Sequence, residues 1–186
     1  MGSRLLTGFI IVALILGAGY FIVSKRAEQK NIPESKAHQS MTITSSAFQQ
    51  NDSIPRAYTC DAGNTNPPLL IENVPQGAKS LALIVDDPDA PGGTWVHWLI
   101  WNIDPSTKEI AGHSVPLRAT EGTTSFGKPG YGGPCPPSGT HRYFFKLYAL
   151  DTMLNLFPET DKAAFESAIK GHVLDSAELI GLYRRA

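Results

Sequence analysis

Two histidines, His97 and His141, each lie in a run of large apolar residues, TWVHWLIWNI and HRYFFKLYAL. The acidic, proline-rich stretch Asp86-Asp87-Pro88-Asp89-Ala90-Pro91 precedes the first run, and Tyr131-Gly132-Gly133-Pro134-Cys135-Pro136-Pro137 precedes the second. Imidazole and backbone N–H groups donate to anionic oxygens, and charge-assisted hydrogen bonds of this kind are the strong ones. Carboxylates beside histidines orient the rings. Proline turns hold the backbone in place, and glycines let it approach a ligand with no Cβ between them. These residue types suit the capture of a small anion.

Each feature also has a plainer explanation. Asp/Pro loops are often simple turns, a histidine on an apolar strand is often a hydrogen-bonded core residue, and Trp95, Trp98 and Trp101 suit a core. Arg142 suits a structural ion pair. Two histidines and several aspartates are metal-ligand types. Yet no H-x-H or H-x-x-x-H occurs, and Asp87 and Asp89 stand apart from the histidines, so no metal is assigned. The chain has no G-x-S-x-G elbow for a hydrolase, and Ser138 sits in a Pro/Gly loop. A Cys135/His141 nucleophile would need a lowered thiol pKa. Without a G-x-G-x-x-G or a P-loop, no cofactor is called for.

The elements that must position these groups are mostly strands. Seventeen glycines and 14 prolines mean many turns, which favours a β-rich fold. Ser80 to Val85 reads as a buried strand. In Thr94 to Ile103, alternation puts Trp95, His97, Leu99 and Trp101 on one face and Val96, Trp98 and Ile100 on the other. Both faces are mostly apolar, so this strand should be central and covered on both sides. In the second run, His141, Tyr143, Phe145 and Leu147 share a face. Ala164, Phe165, Ala168 and Ile169 predict a helix over 161–170, with Gly171 as its stop. Asp175 and Glu178 have capping-box spacing, and with Leu179, Ile180 and Leu182 they predict a second short helix. The expected fold is mainly β, an antiparallel β-sandwich with a short C-terminal helical segment, preceded by one transmembrane helix.

That transmembrane helix is Leu5 to Val23, which carries no charge. At about 1.5 Å per residue it spans roughly 28 Å, near the thickness of a bilayer core. A cleaved signal has a shorter apolar region ending at small residues. Here the run ends Tyr20-Phe21-Ile22-Val23, which favours an uncleaved anchor. The organisation is thus an anchor over 1–23, a polar tether over 24–40 and one domain over 41–186. An amino-terminal anchor favours a periplasmic or extracellular domain. Arg4 before the span, against Lys25, Arg26 and Lys30 after it, leaves the cytoplasmic face open. Cys60 and Cys135 fit either one disulfide in an oxidising compartment or two buried thiols. With a net charge of -1 and no basic stripe, nucleic acid is excluded as a partner.

The motifs DPDAP, W-x-H and G-x-C-P-P with HRY, in that order, resemble the phosphatidylethanolamine-binding proteins, in particular their bacterial Raf-kinase-inhibitor-like branch. The resemblance extends to Tyr58-Thr59-Cys60-Asp61, Asn66-Pro67-Pro68-Leu69, Phe126-Gly127 through Gly133, and Gly171-His172-Val173-Leu174, and so covers nearly all of Met41 to Arg185. It implies a surface pocket for phosphate-like groups, phospholipid head groups among them. The implied wall is Asp87, Asp89, Pro91, Trp95, His97, Gly133, Cys135, His141 and Tyr143. The expected function is a membrane-tethered, non-enzymatic binding module for a small anionic ligand, with a protein partner as a further expectation. Two alternatives stand beside it. One is a protease or kinase inhibitor acting through loops such as Thr120 to Gly130; the other is a weak hydrolase using His97 and His141.

Overall fold

The computed structural model describes residues 39–185. The expected anchor Leu5 to Val23, and the tether up to residue 38, lie outside the described residues. Eight strands and one α-helix follow among the described residues. They are β1 (Thr42–Thr44), β2 (Leu69–Glu72), β3 (Ser80–Asp87), β4 (Trp95–Ile103), β5 (Glu109–Ile110), β6 (Thr120–Glu121), β7 (Thr140–Leu150), α1 (Lys162–Ile169) and β8 (Val173–Arg184). The strands form two sheets, ordered β1-β2-β5 and β6-β4-β3-β7-β8. Every strand pair is antiparallel.

The larger sheet is covered on both faces, which is why β3 and β4 read as near-continuous apolar runs. One face meets the small sheet. There Leu81, Leu83, Val85, Trp98, Phe145 and Leu147 pack in one cluster with Ile43, Leu69, Ile71 and Ile110. The other face carries Ala82, Ile84, Leu99 and Trp101, capped by Phe165 and Ile169 of α1. The helix starts as its spacing predicts, with the Asp161 carboxylate accepting the Ala164 N–H at 2.9 Å. Asp86 faces this same side at the end of β3. Buried completely, it pairs with Lys146 at 2.9 Å and with Lys162 in the first turn of α1 at 2.6 Å.

The structure corrects two sequence expectations. The segment expected as a second helix is β8, paired with β7 from Leu150↔Val173 to Thr140↔Arg184. Its burial has period two, with Leu179, Gly181 and Tyr183 buried, and a Cβ at Gly181 would come within 2.5 Å of Ile54. Eleven residues of β7 offer a hydrogen-bond ladder that outweighs a weak local helix preference. Asp175 lies within this strand, and its Oδ2 accepts the Met41 N–H at 2.8 Å.

The second correction concerns β4. Val85 pairs with Trp98 and the next residue, Asp86, with Val96, so His97 is skipped in the register. One extra residue in a strand flips everything beyond it to the other face. Val96 therefore packs with Leu99 and Trp101. His97 leaves that company, and its ring lies 5.2 Å from the ring of Tyr143 on β7.

Candidate functional site

The β4 irregularity brings both histidines to one end of the sandwich. On β7, His141 shares the face of Tyr143, as alternation predicts. Asp87, beyond Val85 on β3, faces the same side, and its Oδ2 accepts a hydrogen bond from His141 Nδ1 at 2.7 Å. A carboxylate only accepts, so Nδ1 carries the proton. The other oxygen, Oδ1, accepts the Asp89 N–H at 2.8 Å and shapes the turn that follows. His97 Nδ1 lies 2.6 Å from the Gly132 carbonyl and must donate to it; in return Gly132 N–H donates to the His97 carbonyl at 2.8 Å. In each ring Nε2 is left as the nitrogen for a ligand. His97 is 3% exposed, and that burial pushes its pKa below the ordinary 6.5, outweighing the Gly132 carbonyl and the charge of Asp87.

The Tyr131–Pro137 strap is held from behind by the loop at residues 58–64. Tyr131 OH donates to the Tyr58 carbonyl at 3.0 Å, and Gly133 N–H to Asn64 Oδ1 at 2.7 Å. Cys60 N–H donates to the Pro134 carbonyl at 3.1 Å, and Cys60 and Cys135 are joined as a disulfide, Cα atoms 5.5 Å apart. Opposite the strap, Ser125 exchanges hydrogen bonds with Val96 of β4. That positions Phe126, whose ring would collide with any Cβ at Gly132.

These pieces enclose a cavity of about 520 Å³. Six of the nine residues named from the motifs line it: Asp87, Pro91, Trp95, His97, Cys135 and His141. The other three do not line it. Asp89 is clamped by Arg142, accepting its backbone N–H at 3.0 Å and its guanidinium at 2.9 and 2.7 Å. This contact holds the Asp89 carboxyl at about 2. Gly133 is buried against the 58–64 loop. Tyr143 is fully buried under His97, and burial together with the charge of Asp87 pushes its phenol pKa up, so it stays protonated. The site residues named from the motifs left out Ala90, Gly92, Gly93, Thr94, Ser125, Phe126, Pro136 and Pro137, which also line the cavity. Phe126 is the informative omission. It sits in the 120–130 loop, 43% exposed, edge-on to Trp95 at 5.5 Å between ring centres. An aromatic in a Gly-rich loop was the signal that could have found it.

A family model for phosphatidylethanolamine-binding protein matches residues 44–184, nearly the whole described domain. The chain belongs to the phosphatidylethanolamine-binding protein family. It is 51% identical over 151 residues to the "UPF0098 protein" of Methanothermobacter thermautotrophicus, covering 78% of this chain and 99% of that one. A crystal structure of a phosphatidylethanolamine-binding protein homologue from Chlamydia trachomatis superposes with a TM-score of 0.77 at 39% identity, covering 79% of this chain and 99% of the other. YbcL of E. coli, described as a new member of the mammalian phosphatidylethanolamine-binding protein family, gives a TM-score of 0.75 at 30% identity, over 80% of this chain and all of YbcL. The three named relatives are prokaryotic, in line with the branch that the motifs resemble. This member of the family carries its cavity at the end of the five-stranded sheet, between the DPDAP turn and the disulfide-bonded strap.

Proposed function

We propose that the domain is a binding module for a small phosphate-bearing or similarly anionic ligand, seated on Nε2 of His97 and His141. The observation that carries this reading is the pair of imidazoles lining one cavity with both Nδ1 atoms tied to protein acceptors. Their orientation is set before any ligand arrives, which lowers the ordering cost of binding. Cys135, the lining residue best suited to nucleophilic attack, is bonded to Cys60, which favours binding over turnover.

The test is sulfate titration calorimetry on the full-length chain, because sulfate keeps its charge across the relevant pH range. An imidazolium donates from Nε2 as well as Nδ1, so with an anion bound His97→Ala and His141→Ala each remove a donor to a charged acceptor, a loss of about 1.5–3 kcal/mol, or roughly ten- to hundred-fold in affinity. His97 should also make binding pH-dependent. Its folded pKa lies below 6.5 in the free protein, and a bound dianion favours the imidazolium. Affinity is therefore expected to rise as pH falls from about 7.5 to about 5.5. Without ligand the sign reverses: the unfolded chain takes up the proton near 6.5 and the folded chain only lower, so stability falls over the same range. Unchanged affinity together with a large loss of stability in both variants would make the histidines structural.

The proposal includes tethering by Leu5 to Val23, with the domain on the oxidising side of the membrane. The uncharged length of that run supports the tether, and the disulfide supports the oxidising compartment. Full-length protein is expected to stay with membranes through a high-salt wash. Recovery of a soluble form beginning between Tyr20 and Ser40 would identify a cleaved signal instead.

A further inference from the structure

Disulfides that only brace a fold are usually shielded, but half of this one forms part of the cavity surface. Cys135 is exposed and lines the cavity; Cys60 is half-buried and does not. Attack from the cavity is therefore directed at Cys135, and Cys60 is the sulfur left to leave. The same cavity holds His97 and His141, each with Nε2 available. A second group is thus in place to seat a charge on the incoming molecule. The volume of about 520 Å³ is within the range that takes a whole small organic molecule, well beyond a bare oxyanion.

We infer that the Cys60–Cys135 disulfide is a thiol-exchange site selective for small thiols that carry an anionic group. The anion sits on the two imidazoles and brings the sulfur to Cys135. This deepens the anion-binding reading and rests on it. In the first step the incoming thiolate attacks Cys135 Sγ. A mixed disulfide forms, the Cys60–Cys135 bond breaks, and its electron pair leaves on Cys60 as thiolate. That thiolate lies beside Asp61, 3.9 Å from Oδ1, but the Asp61 carboxylate is already engaged by Tyr183 OH at 2.7 Å and Arg185 at 3.1 Å. In the second step another thiolate attacks the outer sulfur of the mixed disulfide and leaves Cys135 reduced. Overall, two small thiols are oxidised to their disulfide and the protein gains two thiols. The strap stays joined to the 58–64 loop by the Cys60–Pro134, Gly133–Asn64 and Tyr131–Tyr58 hydrogen bonds after the sulfurs part. The cavity can therefore persist in the mixed-disulfide form.

The experiment uses full-length protein in mild detergent with three thiols of similar size: mercaptoethanesulfonate, mercaptoethanol and mercaptoethylamine. Mass spectrometry follows the mixed disulfide, and rates are expressed per thiolate. A hydrogen bond from an imidazolium Nε2 to a charged acceptor is worth about ten-fold or more in affinity. The sulfonate is expected to lead mercaptoethanol by that factor and the amine to trail. Inorganic phosphate should remove the lead. Equal rates per thiolate, or a lead that phosphate leaves intact, overturn the inference. So does a rate independent of thiol concentration, which would mean that the bridge is attacked only after unfolding. Phosphate calorimetry on the same sample separates the two levels. Phosphate binding without sulfonate preference defeats the exchange site alone, whereas no phosphate binding defeats the anion-binding reading with it.

Discussion

Asp86→Asn is expected to destabilise the domain by about 3 kcal/mol while leaving sulfate affinity unchanged. Asp86 is fully buried and holds both Lys146 and Lys162. Removing one partner of a buried ion pair costs about 3–5 kcal/mol, because the remaining charge is left without compensation. The lysine side chains are 29% and 22% exposed, so water relieves part of that penalty and the lower end applies. Lys162 stands in the first turn of α1, so the lost pair also loosens the helix that covers Trp101 through Phe165. Binding survives because strand alternation turns Asp86 away from the cavity that Asp87 lines. Urea unfolding with parallel calorimetry checks both halves. A stability change under about 1 kcal/mol, or lost sulfate binding, would contradict this division of labour between neighbouring aspartates.

The larger expected loss comes from opening the disulfide. Cys60 and Cys135 are separated by 75 residues. Chain-entropy reasoning for a loop of that length assigns the cross-link about 4.5 kcal/mol, because it restricts the unfolded chain. Cys60→Ala with Cys135→Ala should lower the urea midpoint accordingly, as should reduction of the wild type. That is a large share of the roughly 5–15 kcal/mol available to a domain. Coincident midpoints for bridged and open forms would show that the unfolded chain is not the state the cross-link constrains. Thiol counting under denaturing conditions without reductant should find none in oxidised protein, and two reactive thiols would remove the bridge altogether.

Much of the site could be read from the chain because its parts are local. The DPDAP turn, the W-x-H strand and the G-x-C-P-P strap are each a few residues long, and six of the nine residues taken from them line one cavity. The three that do not line it differ for a long-range reason. Asp89 is drawn to Arg142, 53 positions away, Gly133 to Asn64, 69 positions away, and Tyr143 lies beneath His97. No spacing rule anticipates partners at such separations.

The sequence by itself determined the β-rich class, the apolar strands β3, β4 and β7, the helix α1 with its Gly171 stop, and the motifs of the family. All of these follow from periodicity, turn chemistry and capping within a dozen residues. Tertiary structure alone decided the rest. It made Val173–Arg184 a strand, because β7 supplied a full-length hydrogen-bonding partner that local helix preference could not match. It chose the disulfide over two free thiols by bringing Cys60 and Cys135 together across 75 residues. It also inserted one unpaired residue in β4, which turned His97 from the helix-covered face toward Tyr143 and put both histidines at one cavity. A strand's faces depend on its register with its neighbours, and register is a property of the assembled sheet.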